Sequence, residues 1–423
     1  MRTRLAYGRS GLDLDLPDGL PVHVVEPRYT PGLADEAEAI RAALRHPISS
    51  EPLRERAGPS EAVGIVVNDI TRATPYRMIL PVLLDELRHI PDDRITLFVA
   101  TGTHRLNTTV ELGSMLGDEI IGRFRIVQND ANDRDSHAWA GTTRSGNAVW
   151  LHQELLNCDL RILTGFIEPH FFAGLSGGGK ACMPGMALLE TILRNHGPAH
   201  IDDPRATWGV IQGNPIGEEI REAARMAGPS FLLNVTMNRD KQITGVFAGD
   251  PEQAHDRGCE SVQRTAMIPV DRPFDIVVTS NSGYPLDLNL YQAVKGMSAA
   301  ARIVRKGGAI ILAADCWDGI PDHGQYKRLL YEADSPTALL KSIRSMRVPV
   351  QDVWQAQIHA SICTKADVHL FSRNLTDDQI TRALLTPCRD IAATIDRMLR
   401  NCGPDARIAV LPEGPLTIPC VCA

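Results

Sequence analysis

No apolar run in the 423-residue chain approaches the roughly 18 residues that span a bilayer, so no transmembrane helix is expected. The start, Met1–Gly19, lacks a continuous apolar stretch, and no secretory signal is readable there. Excess positive charge is missing as well. Lys plus Arg number 44 against 51 Asp plus Glu, a net charge of −7, and this argues against nucleic acid as a partner. The nine cysteines form no CxxC pair, only a lone CxC at Cys420 and Cys422. Paired spacings of a structural zinc site are therefore absent, and reduced thiols of a cytoplasmic protein are the expectation. No GxGxxG follows an apolar strand-like run, which excludes a nicotinamide or flavin dinucleotide fingerprint. No GxSxG or HExxH occurs, which removes common hydrolase and metalloprotease readings.

What is present is the composition of an ordinary globular enzyme: 43% apolar and 22% charged residues, and a length suited to two domains. Short apolar, β-branched runs at Gly64–Val67, Ile95–Ala100 and Leu160–Thr164 read as buried strands. Helical patterns occupy Tyr76–His89, Met186–Arg194 and Gly217–Met226. A second series of strands is expected at Asp275–Thr279, Ala309–Ala313, Val368–Phe371 and Arg407–Leu411. Strands alternating with helices predict two α/β domains with largely parallel sheets, divided as 1–271 and 272–423 at Asp271-Arg272-Pro273. Ligands of such sheets sit beyond the strands' carboxyl ends, and the cleft between the domains is the expected site.

Three polar segments follow expected strands. The densest runs from Glu168 to Gly185 and contains His170, Ser176, Gly177, Gly178, Gly179 and Lys180. Its glycines can turn backbone N–H groups towards an anion. Gly174–Lys180 formally satisfies GxxxxGK, yet Ala181 stands where magnesium needs a hydroxyl, so phosphate cradling without ATP hydrolysis is expected. Asp69-Ile70-Thr71-Arg72 follows the first strand. There Asp69 or Thr71 can cap a helix, while the planar fork of Arg72 suits a carboxylate or phosphate. Thr101-Gly102-Thr103-His104 follows the second.

Further along, His196 ends a helical run, where a histidine often serves only as a cation near the carboxyl dipole. Gln292 and Lys295 are three apart on one helix face, next to Tyr291. Trp354 reads equally as core packing.

These residues, in this order and approximate spacing, resemble the nickel-dependent lactate racemase family, whose members racemise or epimerise 2-hydroxy acids. The resemblance rests on Asp69, Thr71 and Arg72, on the Gly-Thr-His element ending in His104, on the Glu168–Gly185 segment, on Ile192–His196 and on the Gln292/Lys295 pair. It implies a nickel-pincer nucleotide, supplied by separate cofactor-biosynthesis enzymes and tethered to Lys180. His196 is then the protein's nickel ligand, completing a square-planar set. His104 and His170 are implied as the two proton-transfer bases, and Arg72 and Lys295 as binders of a small 2-hydroxy acid, lactate by similarity. Tyr291, Gln292 and Trp354 are further substrate-contact candidates. Asp69, Thr71, Ser176, Gly177, Gly178 and Gly179 are candidate cofactor contacts. Gln292, in place of another cation, favours a substrate with one carboxylate.

The chemistry agrees with the residue types. The C2–H of a 2-hydroxy acid is too weakly acidic for a neutral imidazole, whereas hydride removal gives a planar 2-keto acid reducible on either face. Histidine can both accept and return the hydroxyl proton. Two other functions remain open on the residues alone: a mononuclear zinc hydrolase using His104, His170 and His196, and a nucleotide-binding protein without catalysis.

Overall fold

The computed structural model describes residues 2–16, 22–403 and 405–422. Two six-stranded sheets organise the chain. In the first, the strands run in the order Ile243–Gly249, Ser230–Met237, Leu160–Phe166, Val63–Asn68, Ile95–Ala100 and Arg125–Gln128. All pair in parallel except the edge strand Ile243–Gly249, which is antiparallel. Leu160–Phe166 is buried at every position and Val63–Asn68 at all but its last, as expected of central strands covered on both faces.

The second sheet runs Thr386–Pro387, Asp367–Phe371, Val304–Ala313, Phe274–Ser280, Ile408–Leu411 and Val22–Val24, all parallel. Its last member comes from the chain's beginning. The hairpin Arg2–Leu5 and Leu12–Asp15 also packs there, with Leu5, Tyr7 and Leu14 in a core cluster with Ile276, Val278 and Val410. Residues 2–16 and 22–25 therefore belong spatially with the second unit, outside the expected division into 1–271 and 272–423. A three-residue strand carries no periodicity of its own, so only its tertiary pairing reveals it.

One helix also departs from expectation. Met186–Leu188 is not helical and the helix runs Leu189–Asn195, because Ala187 bridges Leu151 and the Leu188 N–H donates to Trp150 O at 3.0 Å. A backbone already engaged by a neighbouring strand cannot enter a helix at that point.

The chain order of the first sheet reverses at one place. In the first sheet Val63–Asn68 is followed outward by Ile95–Ala100 on one side and later by Leu160–Phe166 on the other. The loops leaving these three adjacent strands thus converge at a topological switch point, where such sheets bind ligands. In the second sheet the helix Leu290–Ala301 follows Phe274–Ser280. A Cβ on Gly296 would lie 2.2 Å from Ser280 O, so glycine at 296 lets this helix lie against its strand.

Candidate active site

The first loop is pinned by its own side chains. Asn68 Oδ1 accepts from Thr74 Oγ1 at 2.8 Å and from the Tyr76 hydroxyl at 3.1 Å, and Asn107 Oδ1 accepts the Ile70 N–H at 3.0 Å. Neither Asp69 nor Thr71 caps the following helix, whose N-cap is Pro75. Asp69 instead accepts from the Thr71 hydroxyl at 2.6 Å and lies 2.6 Å, through Oδ2, from His104 Nδ1. Burial opposes the Asp69 charge, but the His104 ring, Arg72 and the Thr71 hydroxyl outweigh it and hold its carboxyl below the usual range. With Nδ1–H given to Asp69, the other ring nitrogen of His104 keeps its lone pair. The Gln292 amide nitrogen donates to it at 3.2 Å across the boundary between the two sheets.

The second loop is fixed by Gly102 N–H to Gly185 O at 3.0 Å, and by Gln351 of the second unit, whose amide donates to Thr103 O at 3.0 Å. The third loop folds on itself. Ser176 Oγ accepts the Glu168 N–H at 2.9 Å and donates to Phe166 O at 3.1 Å. The N–H of Ser176 goes to Glu168 O, and that of Gly178 to Asn234 Oδ1 at 2.8 Å. These groups are committed within the protein, so the glycines form a tight turn in which those N–H groups do not cradle an anion. Gly178 has φ +57°, and a Cβ there would meet the His255 ring at 2.7 Å. His255 donates from Nε2 to Ser176 O at 2.8 Å and so underlies the turn.

Together these loops, with the helix Leu290–Ala301, line a cleft. Asp69, Arg72, His104, His170, Ser176, Gly177, Gly178, Lys180, His196, Tyr291, Gln292, Lys295 and Trp354 all line it. Thr71 and Gly179 do not. Thr71 stands behind Asp69, and Gly179 packs against the helix Pro215–Met226, where a Cβ would lie 2.9 Å from that of Ala224.

The electrostatics of the cleft are set by burial of several bases together. Burial, with Arg72 nearby, pulls the Lys180 amine down to about 7. Lys295 is held well below the ordinary lysine value by burial, then by Arg72 and Lys180, and its Nζ is buried without a hydrogen-bond partner. His170 and His196 are kept neutral for the same reason, each with Lys180 as the leading charged neighbour. A neutral His196 is no cation for the helix dipole. Its ring lies edge-on between Phe172, at 4.9 Å, and Trp354, at 5.1 Å, and its Nδ1 is buried without a partner. Trp354 Nε1 donates to the Tyr291 hydroxyl at 3.0 Å, so Trp354 packs the site wall and not a remote core. The helix ending before His196 is anchored by Asn195, whose amide donates to Glu219 at 2.7 Å. Glu219 is buried and also receives Thr143, Ser145 and Asn147.

Among the described residues no three His, Cys, Asp or Glu side chains converge as a metal site. A zinc hydrolase built on His104, His170 and His196 therefore lacks its ligand set. A metal that arrives within an organic pincer requires only one protein donor, and the unpartnered nitrogen of neutral His196 fits that need.

Residues 7–209 match the lactate racemase N-terminal domain and residues 270–418 the lactate racemase C-terminal domain. The chain belongs to the lactate racemase family. It is 35% identical over 416 residues to the lactate racemase of Thermoanaerobacterium thermosaccharolyticum, covering 97% of each chain. It is 37% identical over 382 residues to that of Lactiplantibacillus plantarum, covering 90% of each. The structure of the T. thermosaccharolyticum lactate racemase apoprotein superposes with a TM-score of 0.91 at 34% identity, over 99% of this chain and 100% of that one. A Thermotoga maritima protein, at 19% identity and a TM-score of 0.73 over 93% of this chain and all of its own, shares the fold. The two α/β units read from the sequence are thus the family's architecture.

The sequence alone did not single out Glu168, Phe172, Asn195, Glu219 or His255. Glu168 is buried with its carboxylate 3.9 Å from Arg72 Nε, and Phe172 meets His196. Glu168 and Phe172 sit inside the densest polar segment, which was their available signal. Glu219 and His255 lie on ordinary amphipathic helices and gave none.

Proposed function

We propose that the chain is a cytoplasmic isomerase that racemises a small 2-hydroxy acid, lactate by similarity, with a nickel-pincer nucleotide tethered to Lys180. The observation that carries this reading is one cleft holding a buried lysine near neutrality, a neutral unpartnered histidine and two further histidines beside Arg72 and Lys295. An amine at about 7 is about half free base at neutral pH, far more than an ordinary lysine, and so is open to acylation, which suits a covalent tether. His196 would hold the nickel. Separate enzymes make the cofactor, so its loading depends on the host.

When bound, the nucleotide supplies a hydride acceptor, so the C2–H bond is broken without a carbanion. Arg72 and Lys295 bind the carboxylate. The orphaned Nζ of Lys295 gains its counter-ion when the anion arrives, which favours the charged ammonium. His104, oriented by Asp69, takes the hydroxyl proton at Nε2, and the substrate hydroxyl displaces the Gln292 amide to reach it. His170 serves the hydroxyl of the other enantiomer. Phe172 and Trp354 keep water from the reacting carbon, while Tyr291 steadies Trp354.

The test uses protein from a host that makes the cofactor, given one enantiomer of lactate deuterated at C2. Formation of the opposite enantiomer with the label retained, together with bound nickel, is expected. Complete loss of label to solvent in the first turnover refutes the hydride route.

A further inference from the structure

The ring of His104 faces two cavities. Besides the catalytic cleft, it lines a second, smaller space, whose walls include Arg105, Asp318, His323 and Asp352. Asp318 and His323 are exposed, so this second space leads from His104 to the surface. We propose that it is the path by which His104 exchanges its proton with solvent, with His323 as the relay at its mouth. The inference rests on the two-histidine reading above.

A two-base inversion leaves the protein changed. His104 gains the hydroxyl proton of one enantiomer, and a proton is delivered from the other side to form the product hydroxyl. Before the same direction can run again, the proton on His104 must leave, and water that enters the cleft as product departs must return one to His170. While the cleft is occupied, His170 has no exchange path of its own. It is 5% exposed, its Nδ1 accepts the Ala173 N–H at 3.2 Å, and Lys180, Lys295 and Arg72 crowd it with positive charge. The side chain of His104 is 23% exposed and borders a space with room for about two waters.

The step moves only protons. The N–H bond at His104 Nε2 breaks and an O–H bond forms on a water in the second cavity. That water passes a proton to a ring nitrogen of His323, and His323 releases one to bulk water or buffer. Gln292 fits this cycle, because its amide nitrogen donates to the deprotonated ring while its Oε1 is buried and unpartnered. Turning the amide offers that oxygen to the protonated ring. The other titratable groups around the path are Asp69, Arg105, Tyr291, Asp318, Asp322 and Asp352. Partial enclosure of its ring at the mouth, with His104 and Arg105 nearby, holds His323 below the ordinary histidine value against Asp318 and Asp322.

The experiment uses cofactor-loaded enzyme in weakly buffered solution. His323→Ala is expected to lower kcat for lactate racemisation roughly tenfold, with KM unchanged, and added imidazole to restore it. His323→Gln, which preserves bulk, should behave alike and melt with the wild type. An unimpaired kcat in both variants overturns the relay. So does a loss that imidazole leaves unrepaired, a change confined to KM, or a loss that merely tracks a lowered melting temperature. If the loaded wild type does not racemise lactate, the functional reading falls first. If it does and only the His323 outcomes fail, the relay alone is wrong.

Discussion

Asp69 Oδ2 lies 2.6 Å from His104 Nδ1, and both groups stand at the ends of adjacent parallel strands. The carboxylate fixes which nitrogen of the ring carries hydrogen and so leaves the other to face the substrate. Asp69→Asn keeps the shape but offers an amide that can present either a donor or an acceptor. It is expected to lower kcat by about 10²- to 10⁴-fold with KM little changed, measured on cofactor-loaded enzyme. Retention of most of the wild-type kcat would assign Asp69 to loop structure alone.

Lys180 supplies a second test, made on protein without cofactor. Since burial brings its amine down to about 7, it should react with an amine-directed acylating reagent with a midpoint near that pH, while surface lysines react in proportion to a far smaller free-base fraction. Peptide mapping after brief labelling at neutral pH gives the comparison. The same depression has a stability consequence of defined sign. Between about 7 and the unfolded lysine value the unfolded chain binds more protons, so stability rises with pH across that window and the penalty is fully present below it. Lys180→Met should therefore melt above the wild type at pH 6, by a margin that narrows as pH rises above about 7. A margin independent of pH would contradict the assigned depression.

How far the sequence reached is clear from these residues. The loops carrying Asp69, His104 and His170 were legible because apolar runs mark strands and ligands collect at their carboxyl ends. The pairings within the site were not. Asp69 and His104 are 35 residues apart, and Gln292 and His104 are 188 apart, separations at which no local period links them. The helix Leu290–Ala301 could be read from its spacing, but that Lys295 faces the cleft and not solvent is visible only in the packed structure. Ser230–Met237 and Ile243–Gly249 escaped because strand patterns interrupted by polar residues are ambiguous until their partners are known. Within the glycine segment, the fold alone reveals that the Ser176 and Gly178 N–H groups go to Glu168 and Asn234.

Glu219 tests the support beneath His196. Its carboxylate gathers Thr143, Ser145, Asn147 and Asn195, and these bonds hold its pKa below the usual value against the cost of burial. Glu219→Leu strands those donors and should destabilise the fold by about 2–4 kcal/mol in denaturant unfolding. Nickel retention in the loaded enzyme should fall with it, because Asn195 immediately precedes His196. The carboxylate's contribution is present above the unfolded glutamate value and is lost as pH falls through the lowered folded value. If the variant unfolds at the same denaturant concentration as the wild type, the network carries no stability.

The last prediction joins Lys180 to His170. Burial is the largest cause of the depressed His170 value, and the Lys180 charge comes second, ahead of Lys295, Arg72 and His196. Acylation of Lys180 removes that charge permanently. His170 then titrates nearer to the ordinary histidine value and becomes a better proton acceptor, so attachment at one residue prepares another for proton transfer. Lys180→Met reproduces the charge loss without any cofactor. Histidine ring resonances followed by NMR in the apoprotein should show the His170 midpoint moving upward in this variant, yet remaining below the reference of about 6.5 because burial persists. A neutral thioamide at Lys180 should move it in the same direction. A midpoint that stays put, or moves down, would show that the charge of Lys180 does not reach His170, and the two residues would then act independently.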